Sequence, residues 1–338
     1  MLAPRDGGGK QKVQHGPNEI SAWRSDTLVA PDVARAVAKL ASLHDGELGL
    51  VAAVACGPAA IPALRAVLFS REPSGIFEPR RRAVEALAAL HAYDVLVEYL
   101  ATPHEIVDPR EATGEEAVIN AAARALAEWP DGMVVPLLLS LTYRPPLAGV
   151  VDALGKLRCA AAIPYFVKAL DDDFTRPAAE AALRHLGPLA APALLEAATL
   201  RLPSEEHESV SSQRRRASAL GVLAERRLAS EGLGPALSSL TQDRDATVAA
   251  LACGIVLADV GRPDRIAAVR RLIDLLPSVH WLLGAEIEDR LVEHFDLARD
   301  SIAEALRCAE PVAASASEPS RLVRTLRRVE ARAAARRG

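Results

Sequence analysis

The chain has 338 residues, of which 50% are hydrophobic and only 4% are aromatic, and its formal net charge is −4. Most of the apolar residues are Ala, Leu and Val, and Ala and Leu are strong helix formers. The β-branched and aromatic enrichment that strands require is weak. The composition therefore favours an all-α protein over a β-rich one, and the charge argues against an overall basic surface for nucleic acid.

The N-terminal segment, residues 1–26, contains Gly, Lys and Pro but no apolar stretch. It lacks the features of a signal peptide, and we expect it to form a disordered tail. The longest uncharged run extends from Leu48 to Leu64 and is interrupted by Gly57 and Pro62. Such a run is a poor membrane span and predicts two short buried helices instead. We expect no contact with a membrane.

The four cysteines lie far apart in the sequence and show none of the spacings of a zinc site. They are Cys56, Cys159, Cys253 and Cys308. We expect them to be reduced, buried thiols in a cytoplasmic protein. The sequence also shows no nucleophile–base pair, glycine-rich phosphate loop or redox pair. We therefore predict no metal ion, no other cofactor and no enzymatic activity.

A short apolar segment with a proline near its start recurs along the chain. The five copies contain Pro62, Pro136, Pro164, Pro192 and Pro235. Proline is tolerated in the first turn of a helix, where its missing N–H would have no intrahelical partner. Each of these prolines therefore marks the start of a helix.

A second helical segment follows each proline-marked segment. In the first copy, the apolar residues at positions 83, 84, 87 and 90 fall on one face of a helix. The leucines Leu126, Leu154 and Leu183 of successive copies are 28 and 29 residues apart. The prolines of the same copies are 28 residues apart. Two independent markers with one period indicate a helical repeat.

These segments resemble HEAT repeats, in particular the short bacterial kind that is also seen in phycobilin-lyase-type HEAT proteins. The residues 60–64 and 162–166 are similar to the first helix of that repeat, and 175–183 is similar to its second helix. The resemblance covers roughly residues 31–308. It implies an α-solenoid of about seven stacked antiparallel helix pairs, a HEAT-like superhelix. The arginine typical of the second helix is missing at Ile119, Leu147 and Gln213.

The predicted domain organisation is a solenoid at 27–308, a linker rich in Ala, Ser and Pro at 309–320, and a basic amphipathic helix or tail at 321–338. An apolar stripe in the last segment consists of Leu322, Leu326, Val329 and Ala333. This segment caps the last repeat, contacts nucleic acid or another anionic surface, or frays. A nearby helix carries an acidic face, formed by Glu286, Asp289 and Glu293, that we expect to be solvated.

Three long turns are predicted within helix pairs, at residues 70–79, 101–114 and 201–212. Equivalent turns of a solenoid lie on the same edge, and loops on rigid scaffolds often carry binding sites. An apolar loop tip beside several guanidiniums suits a partner that bears carboxylates. Alternatively, the apolar tip packs on its own repeat and the arginines are solvated. The candidate partner-binding residues are Ile76, Phe77, Arg80, Arg81, Arg82, His104, Arg214 and Arg215.

The sequence is compatible with three functions. The leading hypothesis is a non-catalytic scaffold that binds an unidentified protein partner through the edge formed by these turns, with the oligomeric state left open. The second is nucleic-acid binding through the C-terminal helix, with the candidate residues Arg321, Arg324, Arg328 and Arg332. The third is an enzyme, because HEAT-like proteins include phycobilin lyases and DNA-repair glycosylases. The glycosylases bind DNA through basic, aromatic and acidic side chains, for which the comparable residues here are Trp129, Asp152 and Trp281.

Overall fold

A computed structural model describes residues 32–70, 76–102, 106, 108–129, 131–203, 207–225, 234–313 and 320–337. Apart from one isolated β-bridge between Pro203 and Glu208, the regular secondary structure of these residues is helical. The helices are α1 (Val33–Ala38), α2 (Gly46–Ala55), α3 (Ile61–Phe69), α4 (Glu78–Ala89), α5 (Tyr93–Ala101), α6 (Pro109–Leu126), α7 (Val134–Ser140), α8 (Ala148–Lys156), α9 (Ile163–Ala169), α10 (Arg176–Leu186), α11 (Ala191–Thr199), α12 (Val210–Glu225), α13 (Gly234–Leu240), α14 (Ala246–Ala258), α15 (Arg265–Leu275), α16 (Trp281–Glu293), α17 (Phe295–Ala313) and α18 (Arg321–Arg337).

The helices form two layers. Each odd-numbered helix packs against the even-numbered helix that follows it, and each even-numbered helix also packs against the next even-numbered one. We call the members of a pair its first and second helix. The chain is thus an all-α solenoid, as the sequence predicts, with nine pairs in the described part of the chain rather than about seven. The sequence estimate is lower because the proline that marks a first helix is absent from pairs near both ends of the stack, as at α1 and α15.

Local sequence signals fix the helix starts. Proline occupies one of the first two positions of α3, α9 and α11. In α6 the carboxylate of Asp108 accepts a hydrogen bond of 2.8 Å from the backbone N–H of Arg110 and so caps the helix. Because Pro109 then begins α6, the turn predicted at 101–114 is shorter than expected and ends before residue 109.

Small residues let the second helices pack closely in the middle of the stack. A Cβ at Gly149 of α8 would lie 2.2 Å from the carbonyl oxygen of Asn120 in α6. On the other side, a Cβ at Gly155 would lie 2.5 Å from the Cβ of Ala182 in α10. The side chain of Asn120 also accepts a hydrogen bond of 2.6 Å from the N–H of Gly149. The close contacts of α8 with α6 and α10 thus lie in the part of the chain where the repeat has its regular period near 28 residues.

The C-terminal helix α18 is the second helix of the last pair and packs against α16 and α17. Its buried face includes Leu326, Val329 and Ala333 of the predicted apolar stripe. Helix α17 continues to Ala313, so helix covers the beginning of the stretch predicted as a linker. None of the described helices is both long and apolar enough to span a lipid bilayer.

Candidate functional site

The turns that join each first helix to its second helix lie along one edge of the stack, because successive pairs pack in the same sense. We call this edge the intra-pair ridge. It carries an exposed large apolar side chain in most of the described pairs. These residues are Leu43, Ile76, Tyr143, Phe174, Leu200, Leu202, Val210 and Trp281.

The opposite edge consists of the turns between successive pairs and is poorer in such residues. Among the described residues of these turns, the exposed large apolar side chains are those of Met133, Leu189 and Val260. Single exposed apolar side chains are common on protein surfaces. A row of such side chains along one edge is less common. Because packed helices lie about 8–10 Å apart, neighbouring pairs place these side chains at regular, short intervals.

The centre of the intra-pair ridge is built from three successive pairs. Tyr143, at 77% exposed, and Phe174, at 89%, project from short turns, and Leu202 follows in the next turn. The turn that bears Phe174 is fixed by its neighbour Thr175, whose buried hydroxyl donates a hydrogen bond of 2.7 Å to the carbonyl of Ala169. The backbone N–H of Leu202 donates to the hydroxyl of Ser212 at 3.0 Å. The exposed side chains thus stand on ordered backbone.

The apolar tip predicted at Ile76 and Phe77 divides between surface and core. Ile76 is exposed on the ridge. Phe77 is half-buried and packs over Gly114 of α6, where a Cβ would lie 3.2 Å from the Cβ of Phe77. His104 lies outside the described residues, so the structure gives it no position.

The three arginines at the start of α4 contact the chain itself. Arg80 donates to the carbonyl of Leu68 at 2.9 Å and forms an ion pair of 2.6 Å with Glu115, and both side chains are largely buried. Arg82 is buried and donates to the carbonyls of Leu40 at 2.8 Å and Ser42 at 3.0 Å. Arg81 forms ion pairs with the three carboxylates of Glu47, Glu78 and Glu85.

The arginines of α12 repeat this arrangement. Arg215 is buried and donates to the carbonyl of Leu200 at 2.6 Å, at the end of the preceding first helix. Arg214 is exposed and pairs with Asp173 at 2.6 Å, on the turn of the previous pair. Four of the five arginines that the sequence suggests near the long turns are thus mostly buried, and all five contact groups of the same chain.

A buried charge network lies beneath the turn that precedes α12. Arg216 is fully buried, donates to the carbonyl of Ala198 at 2.7 Å and pairs with Asp243 and Glu208. Arg201 pairs with Asp243 at 2.7 Å. Burial raises the pKa of Asp243, but hydrogen bonds from Arg216 and Arg201 outweigh that effect and leave the pKa below its usual value.

These contacts share one arrangement, in which an arginine of a second helix donates to carbonyls at the end of its first helix. We call this arrangement the carbonyl clamp. The last carbonyls of a helix have no intrahelical partner and carry a partial negative charge. An arginine early in the second helix supplies the missing donors. Arg80, Arg176, Arg215 and Arg216 all bond carbonyls near the end of the first helix of their own pair. The clamp fixes the intra-pair turn and so positions whatever the turn displays.

At the C-terminal end of the ridge, α16 and α18 enclose an open groove with a volume of about 640 Å³. Arg321, Arg324 and Arg328 line it together with Trp281. The remaining lining residues are Leu276, Gly284, Ala285, Glu288 and Thr325. The structure therefore brings together one tryptophan and three arginines that the sequence suggested separately.

The charges of α16 and α18 are complementary. Arg328 pairs with Glu288 at 2.8 Å, and Arg332, outside the groove, pairs with Asp289 at 2.6 Å. The acidic face that the sequence predicts to be solvated is in part an ion-pairing face for α18. The basic charge of α18 is correspondingly reduced.

Two other residues named for comparison with DNA-binding HEAT-like proteins lie elsewhere. The ring of Trp129 stacks on Tyr93 with 5.4 Å between centroids. Asp152 pairs with Arg124 at 2.7 Å. The structure does not bring either of them to Trp281, which belongs to a later pair. In the part of the chain that the structure describes, no group of three or more His, Cys, Asp and Glu residues is arranged to hold a metal ion.

Comparisons with known proteins give distant likenesses among solved structures alone. No family model matches the chain, and no curated protein matches it. Among solved structures, the complex of CpcE and CpcF of phycocyanin lyase from Nostoc sp. PCC7120 matches at 22% sequence identity and a TM-score of 0.32. The match covers 82% of this chain and 100% of the other. A likeness at this level says nothing about the ligand or the reaction of this chain.

The expectation that the chain is not an enzyme is contradicted to the extent that the matched structure is named as a lyase, and it is withdrawn; so distant a match assigns no activity to this chain. The expectation had rested on the lack of a recognisable catalytic motif. That lack does not separate enzymes from other proteins among helical-repeat chains, and it no longer supports a conclusion here.

Proposed function

We propose that this HEAT-like solenoid is a scaffold that binds another protein along its intra-pair ridge. The observation that supports the proposal is the alignment of exposed large apolar side chains on that edge. Aromatic side chains are enriched among the residues that dominate protein–protein affinity. A contiguous series of exposed apolar groups is a feature of interaction surfaces.

The strongest part of the proposed surface is the segment around Tyr143, Phe174 and Leu202. The guanidinium of Arg144 lies 5.7 Å from the centre of the Tyr143 ring, and carboxylates at 171–173 flank Phe174. An apolar centre with a charged margin is the usual anatomy of an interface. Carbonyl clamps and Thr175 hold the turns of Phe174 and Leu202. At the end of the turn of Tyr143, the hydroxyl of Tyr165 accepts a hydrogen bond of 2.8 Å from the N–H of Leu147. Little ordering cost is therefore expected on binding.

The contact residues of this proposal differ in part from those suggested by the sequence alone. Ile76 remains a contact residue because it is exposed on the ridge. Arg80, Arg82 and Arg215 instead support the turns from inside, where their guanidiniums bond backbone carbonyls. A cytoplasmic setting is part of the proposal and agrees with the buried free thiol of Cys253, whose pKa burial raises to about 12.

The proposal is tested with a double variant, Tyr143→Ser with Phe174→Ser, and a matched control, Met133→Ser with Leu189→Ser. All four side chains are exposed, but the control pair lies on the opposite edge. We expect the ridge variant to lose a partner that the wild type and the control retain in quantitative affinity enrichment. Both variants should keep their stability within about 0.5 kcal/mol, since exposed side chains contribute little to it.

A benzophenone side chain introduced at position 174 should crosslink to the same partner, whereas one at position 189 should not. The proposal is wrong if the ridge variant retains every partner of the wild type. It is also wrong if the control variant loses the same partner to the same extent, because the edge would then have no role in binding.

A further inference from the structure

The groove between α16 and α18 displays an indole that the fold leaves uncovered. Trp281 is the first residue of α16 and is 78% exposed, although it lines the groove. The preceding His280 caps α16 by accepting a hydrogen bond from the N–H of Leu283 at 3.4 Å. The indole is therefore attached to a defined helix start. An exposed tryptophan on ordered backbone offers a face on which a planar ring can stack.

The guanidinium of Arg321 lies on the same side of α16. A Cβ at Gly284, one turn after Trp281, would be 3.6 Å from Nη2 of Arg321, so this arginine crosses from α18 to the surface of α16. Among the described residues, Arg321 has neither a hydrogen bond nor an ion pair. It also lies in the first turn of a 17-residue helix, where the helix dipole favours an anion.

The one carboxylate of the groove is already neutralised. Glu288 is mostly buried and is paired with Arg328 at 2.8 Å, and the guanidinium of Arg332 lies 3.9 Å from its carboxylate. The guanidinium of Arg321 therefore gives the groove a positive charge that the one carboxylate of its lining does not offset. Planar guanidiniums bind phosphate through paired hydrogen bonds.

The size and surroundings of the groove limit the class of ligand. A volume of about 640 Å³ is within the range of small-molecule sites. An exposed carboxylate of α16, that of Glu286, follows the groove-lining Ala285 along the helix and would repel an extended polyanion. A compact ligand with one anionic group and one planar ring fits the volume of the groove and carries too little negative charge to be strongly repelled.

We propose that this groove binds a nucleoside phosphate, with the base stacked on Trp281 and the phosphate held by Arg321 and Arg324. The same chemical unit occurs as a free mononucleotide and as the end of a single strand. The geometry agrees with either source, and the neighbouring carboxylate of Glu286 favours the free form. The site is separate from the centre of the intra-pair ridge and does not depend on the protein partner proposed above.

The test uses the full-length protein labelled with ¹⁵N in its three tryptophan indoles, which belong to Trp23, Trp129 and Trp281. Adenosine monophosphate at millimolar concentration should shift one indole signal, which a Trp281→Phe variant assigns. The signal of Trp129 is the internal control, because that ring is stacked on Tyr93. Arg321→Gln should weaken binding about tenfold, the usual effect of losing a hydrogen bond to a charged group.

Arg336→Gln is the matched control, since it removes the same charge from an exposed position at the far end of α18. It should leave the affinity within about twofold, because salt screens charges beyond a Debye length of about 8–10 Å. Adenosine and inorganic phosphate, each lacking half of the ligand, should bind at least about tenfold more weakly than the nucleotide.

The outcomes separate the alternatives. A short oligodeoxyadenylate that binds more tightly than the mononucleotide supports the site and identifies a strand end as its source. Equal binding by inorganic phosphate shows a simple anion site and overturns the proposal. No shift of the Trp281 signal with either nucleotide form, or equal losses in Arg321→Gln and Arg336→Gln, also overturns it. The Tyr143→Ser, Phe174→Ser variant should bind the nucleotide normally, so failure of one proposal leaves the other standing.

Discussion

Helices α12 and α18 are both second helices that carry several arginines near an intra-pair turn, yet they use them in opposite ways. In α12, Arg215 and Arg216 are buried and bond the carbonyls at the end of α11. In α18, Arg321 and Arg324 are exposed and line an open groove. A cluster of arginines in the sequence therefore indicates neither a clamp nor a binding site by itself.

The difference comes from the register of each helix against its neighbours. Arg215 and Arg216 of α12 occupy the positions that face the carboxyl end of α11, so the backbone supplies acceptors for them. In α18 the corresponding inward positions hold Val323, Thr325 and Leu326, which are buried. Its arginines consequently lie on the flanks of the helix, where several of them pair with carboxylates of α16 and α17.

The largest effect is expected for Arg216→Met. The substitution removes a fully buried guanidinium and leaves Asp243 and the carbonyl of Ala198 with fewer partners. Breaking a buried ion pair in this way costs about 3–5 kcal/mol. Urea unfolding followed by circular dichroism measures the loss.

The matched variant Arg324→Met removes an exposed arginine from α18 and should cost less than about 1 kcal/mol. The comparison between α12 and α18 fails if the two variants lose the same free energy of unfolding. Burial of the guanidinium would then make no energetic difference.

A smaller and more local effect is expected for Arg82→Ala. Its guanidinium bonds the carbonyls of Leu40 and Ser42, and the side chain packs against Gly46 of the first pair. Leaving a buried carbonyl without a donor costs about 1–3 kcal/mol. Because each pair of a solenoid contacts only its neighbours, the loss should be confined to that end. Hydrogen exchange should accelerate in α1 and α2 but not in α16 to α18, and uniform acceleration would contradict local clamping.

The fold was accessible from the sequence because its signals are local. Prolines in first turns and apolar stripes in second helices each report on one helix, and their repetition reports on the stack. Helix pairs without such a proline, as at α1 and α15, escaped the count for the same reason. The start of α6 was placed too late, although Asp108 and Pro109 form a recognisable helix start.

The candidate sites were less accessible because they depend on which side of a helix meets which neighbour. The partners of Arg80 and Arg216 are carbonyls and carboxylates from other segments, and no spacing in the sequence identifies them. Tyr143 and Phe174 did leave a signal, since each is an aromatic residue in a short polar turn between apolar helices. The meeting of Trp281 with Arg321 required the packing of α16 on α18.

The smallest effect expected concerns two carboxylates that α12 arginines contact, Asp243 and Asp171, whose pKa values shift in opposite directions. Burial raises the pKa of Asp243, but the hydrogen bonds from Arg216 and Arg201 outweigh burial and lower it. Its ionised form therefore stabilises the fold above the unfolded-state pKa of about 3.9, and this contribution is lost as the pH falls through the folded-state value.

Burial raises the pKa of Asp171 and outweighs the attraction of Arg215. The contribution of Asp171 is therefore greatest below the unfolded-state pKa of about 3.9 and is lost as the pH rises through its folded-state value. Urea unfolding of Asp243→Asn and Asp171→Asn against pH measures both. On acidification, the stability of the wild type relative to the variant should fall for Asp243→Asn and rise for Asp171→Asn. If the stability differences of the two variants change with pH in the same direction, the pKa values of Asp243 and Asp171 are not shifted in opposite directions, and the assignment is wrong.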